Sequence, residues 1–278
     1  MNLRQIRRHF VSGLMTGVVA LLSALACLAL FLILANLVIK GASSLDLNFF
    51  IKDPVPAGQT GGGVANAIVG TLIIVGLAAL VGLPVGIGAG LYLAEYGNGR
   101  LGWVVRFVAD VLNGTPSIVI GVFAWTWLVK PMGHFSALAG GVALAVLMVP
   151  MIARTTEEMV RLVPHSLREA ALALGYPRWR TSLSIVARTA LAGIVTGCLV
   201  GIARIAGETA PLLFTALGNL NFSTSVLEPM QTLSLQIFSY ATGPFEEWHR
   251  LAWAAALVLM GLVLVLGAAA RIAMRQRQ

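Results

Sequence analysis

The sequence predicts an all-α, polytopic membrane protein with six transmembrane helices, on three observations. The chain of 278 residues is 58% apolar and only 11% charged, against about 25% charged residues in ordinary soluble domains, and its mean hydropathy is +0.88. Several uncharged runs approach or exceed the roughly 20 residues that a helix needs to cross a hydrocarbon core of about 30 Å. The positive charges fall into blocks that alternate along the chain, as loops on opposite faces of a membrane do. An ordinary soluble domain is thereby excluded, and the +8 formal charge belongs to membrane-flanking segments rather than to a nucleic-acid face.

Each span has its own justification. Arg4, Arg7 and Arg8 precede a run that stays uncharged from Phe10 to Ile39. That is far longer than the roughly 7 to 15 apolar residues of a cleaved signal peptide, so a cytoplasmic tail over 1–11 and a retained first span over 12–39 are expected. An outer loop follows over 40–65, read as irregular from Pro54, Pro56 and the Gly61-Gly62-Gly63 run; these glycines have neither the preceding strand nor the Lys-Ser/Thr ending of a phosphate loop. The second span covers Asn66 to Ala94. In it Gly82, Gly86 and Gly90 recur every four residues and clear one helix face for close packing.

The third span, Asp110 to Val129, opens on Asp110, Asn113, Gly114, Thr115, Pro116 and Ser117. Two readings stand side by side: a broken helix against protein or a watery cavity at membrane depth, or a helix start at the interface with Pro116 in its first turn. The fourth span is expected over Ser136 to Ala153, the fifth over Ser184 to Ala206 and the sixth over Leu251 to Ala270, with a cytoplasmic tail over 271–278. The loop from Gly218 to Arg250 has room for a surface helix from Met230 to Tyr240.

This topology places Arg4, Arg7, Arg8, Arg100, Arg106, Arg154, Arg161, Arg168, Arg178, Arg180, Arg188, Arg271, Arg275 and Arg277 on one side. Only Lys40, Lys52, Lys130 and Arg250 fall on the other. Cytoplasmic loops carry the excess of Lys and Arg, so both termini are expected inside. Cys27 and Cys198 lie in separate apolar spans and His9, His134, His165 and His249 are scattered, so neither a disulfide, a metal site nor a cofactor is expected. No phosphate-loop motif for ATP and no internal repeat is present.

The remaining cation, Arg204, follows fourteen uncharged residues, Ala190 to Ala203. These make about 21 Å of helix, too short to span, which places Arg204 inside the membrane, where an ion is costly and marks function. Glu208 follows four residues later on the helix, hence as a neighbour on one face. A planar, permanently charged guanidinium suits an oxyanion; the alternative is an ion pair acting as interhelical glue. Between the fourth and fifth spans, Pro164 and Gly175 bound a short helix. Ala170, Ala171 and Ala173 would give it a smooth surface and Arg168 and Glu169 its charge, for a protein groove or simply for water.

Glu169-Ala170-Ala171, three residues, Gly175, nine residues and Ile185 resembles the EAA loop of ABC importer permeases, the coupling helix that contacts the ATPase; Ala187-Arg188 replaces that family's Leu-Pro ending. The stretch from Ile202 to Leu217, IARIAGETAPLLFTAL, is similar to that of PstA-type phosphate permeases, as are NAIVGTL from Asn66, GTPSIVIG around Pro116 and EWHRLAW around Trp248. The resemblance implies a type I importer permease fold over 66–270 with a cytoplasmic coupling loop at 154–188. It implies as partners a PstC-type permease, two PstB-type ATPase subunits, a PstS-type external phosphate-binding protein, phosphate and the lipid membrane, with no nucleic acid and no ATPase site in this chain. Arg204, Glu208, Thr209, Pro116 and Ser117 would border the substrate path, and Arg168, Glu169, Ala170, Ala171 and Gly175 would couple to the ATPase. A permease for sulfate, molybdate or phosphonate is the near alternative, and a channel or carrier without an ATPase the distant one.

Overall fold

The computed structural model describes residues 3–56 and 61–275, and these are helices and connecting turns apart from one isolated bridge between Leu217 and Met230. Residues 57–60 of the expected outer loop, Met1 and Asn2 of the first tail, and 276–278 of the last, with Arg277, lie outside the described residues. The helices are α1 (Leu3–Ala42), α2 (Leu47–Ile51), α3 (Ala65–Glu95), α4 (Arg100–Gly114), α5 (Ser117–Met132), α6 (Ala137–Arg161), α7 (His165–Ala173), α8 (Arg178–Thr189), α9 (Leu191–Ala206), α10 (Ala210–Thr215), α11 (Leu233–Ala241) and α12 (Glu246–Arg275). Among the described residues α1, α3, α6 and α12 are long and apolar enough to cross a membrane, and the bent pairs α4–α5 and α8–α9 raise the total to six if each is one span.

Four details differ from the expectation. The first loop is not wholly irregular: Asp46 accepts a hydrogen bond from the Phe49 amide at 2.7 Å and starts α2. The expected third span, Asp110 to Val129, is not one straight helix. Asp110 to Gly114 close α4, the chain turns through 103° at Thr115 and Pro116, and α5 starts afresh at Ser117. A proline disfavours helical backbone in the residue before it, and Thr115 is extended with ψ 132°. The segment is thus both a break between two helices and a fresh helix start, with Pro116 in the N-cap position.

The fourth helix continues through Arg161, so the first part of the expected coupling loop is rigid. The fifth span is broken at Ala190, where α8 and α9 meet at 71° without a proline or glycine at the break. Just before it, the hydroxyls of Ser182, Ser184 and Thr189 each donate to the carbonyl four residues back, a back-bonding that bends helices.

At the centre stands α6, flanked by two stripes of glycine. Gly82, Gly86 and Gly90 of α3 run parallel to it and face Met148, Ile152 and Thr156. Gly193, Gly197 and Gly201 of α9 run antiparallel and face Met159, Thr155 and Ile152. A Cβ on Gly90 would stand 2.5 Å from the Ala153 carbonyl oxygen, and one on Gly197 only 2.4 Å from the Thr155 methyl. Lipid tails are as apolar as the side chains, so helices in a bilayer associate through such close backbone approach rather than by escaping water. Away from this centre, α1 is exposed along most of its length and meets α12 in its last turns, where Gly41 lies against Trp253 and Leu257.

Candidate functional site

At the end of the bundle where α3 and α6 finish, two arginines repeat one device in opposite directions. Arg106 of α4 donates from its Nη atoms to the Leu93 and Gly97 carbonyls, both at 2.8 Å, and from Nε to Glu157 of α6 at 2.7 Å. Arg168 of α7 donates to the Val160 and Val163 carbonyls, at 2.9 and 2.5 Å, and from Nε to Glu95 of α3 at 3.0 Å. Each therefore satisfies carbonyls that a helix C-terminus leaves without partners, while pairing with the acid of the other helix. Glu157 is 2% exposed and also meets Arg154 and Arg161, at 3.3 and 2.7 Å. Arg154 in turn holds Asp110 through both carboxylate oxygens.

Helix α7 sits on this latch. Pro164 precedes its first turn. Gly175, at φ +84°, lets its own amide reach the Leu172 carbonyl and the Tyr176 amide reach Ala171, at 3.0 and 3.2 Å. That paired stop needs a left-handed residue, which glycine adopts without strain. The expected smooth charged surface is only half correct. Ala171 is buried, and Arg168 turns inward, its side chain 16% exposed, because it reaches the ends of α3 and α6. Glu169, Ala170 and Ala173 remain outward.

Arg204 lies in the last turn of α9 and its environment is different. The helix ends at Ala206, Gly207 takes the C-cap and Pro211 starts the next short helix, so Glu208 is not on a continuing helical face. The nearest approach of the pair is 3.9 Å, from Arg204 Nε to Glu208 Oε1, beyond hydrogen-bond length. The one hydrogen bond that the guanidinium makes among the described residues is to the Met151 sulfur at 3.8 Å. The side chain is 59% exposed, so the chain by itself does not enclose it. Met151 is fourteen residues into α6 and ten from its end, which places the guanidinium about 20 Å along a helix rising about 1.5 Å per residue.

Thr209 borders the same break, and its carbonyl accepts from the Leu212 and Leu213 amides. On the other side Gly121 of α5 meets Pro211, whose Cα would be 2.6 Å from a Cβ on the glycine. Ser117 and Pro116 are one turn further along α5, so the two interrupted segments adjoin. The reading from sequence missed the Arg106–Glu157 and Arg168–Glu95 latch and the second glycine stripe; the four-residue spacing of Gly193, Gly197 and Gly201 was the available signal for the stripe.

Comparison with known proteins gives a consistent picture. Residues 86–276 match the family described as binding-protein-dependent transport system inner membrane component. The chain is 49% identical over 243 residues to the phosphate transport system permease protein PstA of Yersinia pestis, covering 86% of this chain and 82% of that one. It is 44% identical over 266 residues to the protein of the same description from Haemophilus influenzae, covering 95% and 94% of the two chains. Among solved structures, an inward-facing MetNI methionine ABC transporter superposes with a TM-score of 0.67 at 19% identity, over 77% of this chain and 96% of the other. That likeness is one of fold.

Proposed function

The chain belongs to the binding-protein-dependent transport system inner membrane components, and within them to the PstA-type phosphate permeases, and from that premise we propose that it lines one half of an ATP-driven phosphate path. A PstC-type permease would supply the other half, two PstB-type ATPases the energy, and a PstS-type binding protein the phosphate. Both termini and the segment 154–188 face the cytoplasm on this reading, where the arginine-rich end meets the ATPases.

The observation that carries the proposal is the contrast within the arginines. Arg106 and Arg168 donate to carbonyls and carboxylates, whereas Arg204, beside Met151 and one turn inward of Arg154, donates to no oxygen among the described residues. An unspent guanidinium is a planar double donor for an oxyanion. Glu208, beside it, would accept a hydrogen bond from protonated phosphate, a donor that sulfate lacks. Thr209, Pro116 and Ser117 would form the adjoining wall. Binding there has to stay weak, because a deep well would halt release.

Coupling follows from the latch. Glu169, with Ala170 and Ala173, presents the outward face of α7 to the ATPase, and Arg168 carries a displacement of α7 into both α3 and α6. The test is phosphate uptake by the assembled importer at matched membrane abundance. Arg204→Gln and Glu208→Gln are expected to lower uptake and to let sulfate compete better; unaltered uptake and selectivity in both would remove the pair from the path. Transport by the chain reconstituted without its ATPases would overturn the reading as a whole.

A further inference from the structure

Helix α4 has a half that the rest of the chain does not cover. On one side Gly102 and Ala109 are buried, and Arg106 and Asp110 engage Glu157 and Arg154 of α6. A Cβ on Gly102 would meet the Gly97 carbonyl oxygen at 2.1 Å, so that side is pressed onto the turn after α3. The other side carries Leu101, Trp103, Val104, Phe107, Val108 and Val111, all exposed, with the Trp103 and Phe107 rings stacked at 5.5 Å between centroids. At 100° per residue these six fill about half of the helix circumference. Arg100, on the same half at the N-terminal end, pairs with no carboxylate among the described residues.

The bend identifies what covers this half. Helix α5 continues from α4 at 103°, so if α5 crosses the bilayer, α4 lies nearly in its plane. The polar side fixes the depth, because the ion-pair cluster of Arg106, Arg154 and Arg161 around Glu157 belongs at the headgroup level rather than in hydrocarbon. The apolar half is also continuous around the bend with the exposed Ile118, Val119, Val122 and Phe123 of α5. An amphipathic helix of this kind lies with its apolar face sunk several ångströms below the headgroups, and a Trp at that level is the usual interfacial anchor.

We propose that α4 is an in-plane membrane anchor, its Trp103–Phe107 face immersed in the phospholipid leaflet at the arginine-rich end and Arg100 paired with a lipid headgroup phosphate. Through Arg106 it also grips the ends of α3 and α6, so it sets the height at which the latch stands in the membrane. The proposal requires only that the chain spans the bilayer. It is independent of which anion is carried.

The test uses the assembled importer in nanodiscs of phosphatidylcholine and phosphatidylglycerol, with the native cysteines replaced and one nitroxide placed at Phe107, Val111 or, as a control, the exposed Lys52 of the first outer loop. Labels at Phe107 and Val111 are expected to collide with oxygen several-fold more than with a water-soluble nickel complex, and the Lys52 label to show the reverse. Arg100→Glu is expected to shift the Phe107 label towards the nickel complex in discs containing phosphatidylglycerol. A Phe107 label shielded from both reagents would show that another subunit covers this face, and one favouring nickel would show water; either overturns the proposal. These positions are exposed, so labelling need not disturb folding, and phosphate uptake measured on the same samples separates this outcome from that of the transport reading.

Discussion

Arg168 and Arg204 both stand beside the end of a helix, Arg168 against the last turn of α6 and Arg204 in the last turn of α9, but their surroundings differ. Around Arg168 every donor group is engaged: two carbonyls at the end of α6 and a carboxylate at the end of α3. Around Arg204 the helix simply stops, and the nearest acid is 3.9 Å away. A guanidinium whose three nitrogens are each engaged ties helix ends together and offers little to a ligand. One with its fork open can do the opposite. The molecule thus separates an end where α3, α4, α6 and α7 are tied together from an interruption further in, where α9 stops at Ala206 and α10 starts at Ala210.

The sharpest way to break this distinction is at Glu157. It is the shared acid of Arg106, Arg154 and Arg161 and is almost fully buried. Removing one member of a buried pair costs about 3–5 kcal/mol because the other charges are left uncompensated. Glu157→Ala is expected to lower the thermal midpoint of the purified complex and its membrane abundance sharply; a wild-type midpoint would mean the latch holds nothing together. Arg168→Ala loses charge-assisted hydrogen bonds worth about 1.5–3 kcal/mol each, and is expected to leave ATP hydrolysis running with uptake reduced, measured in proteoliposomes. Exchanging the charges, Glu95→Arg with Arg168→Glu, restores the ion pair but not the caps on Val160 and Val163. Rescue should therefore be partial, and full rescue would reduce the device to an ion pair.

Packing comes next in size. Gly90→Ala forces a methyl against the Ala153 carbonyl and Thr156, and overpacking of that kind costs about 1–3 kcal/mol. Gly76→Ala on the same helix meets nothing within 4 Å and is expected to leave the melting midpoint unchanged. Equal midpoints for the two variants would show that the glycine stripe is not what brings α3 onto α6.

How far these regions could be read from sequence follows the same division. Helices separated by charged blocks, the Gly82–Gly86–Gly90 stripe and the Pro164–Gly175 limits of α7 all rest on local patterns, and local patterns are written in the chain. The inward turn of Arg168 depends on Glu95, seventy-three residues earlier, and nothing near either residue announces the other. The break at Ala190 has no proline or glycine to mark it. It arises where hydroxyls compete for helix carbonyls, an effect that Ser and Thr produce only in particular rotamers. The expectation that Arg204 and Glu208 share a helix fails because the helix ends at Ala206 with Gly207 as its C-cap, before Glu208 is reached; a lone glycine does not announce a stop in a chain whose membrane helices carry glycine for packing.

The smallest effect on stability is expected at Arg204 itself, and it decides the comparison. The guanidinium caps no helix and has no short ion pair, so Arg204→Gln should change the melting midpoint by no more than a surface substitution does, within about 0.5 kcal/mol. Uptake should nevertheless fall, because the amide that replaces the fork is neutral and cannot draw an anion into the middle of the bundle. Arg204→Lys keeps the charge and loses the planar double donor; intermediate uptake would locate the function in the fork as well as the charge. If Arg204→Gln instead destabilised the complex as strongly as Arg168→Ala, the residue would be glue to a second subunit, and the two arginines would differ only in which protein they bind.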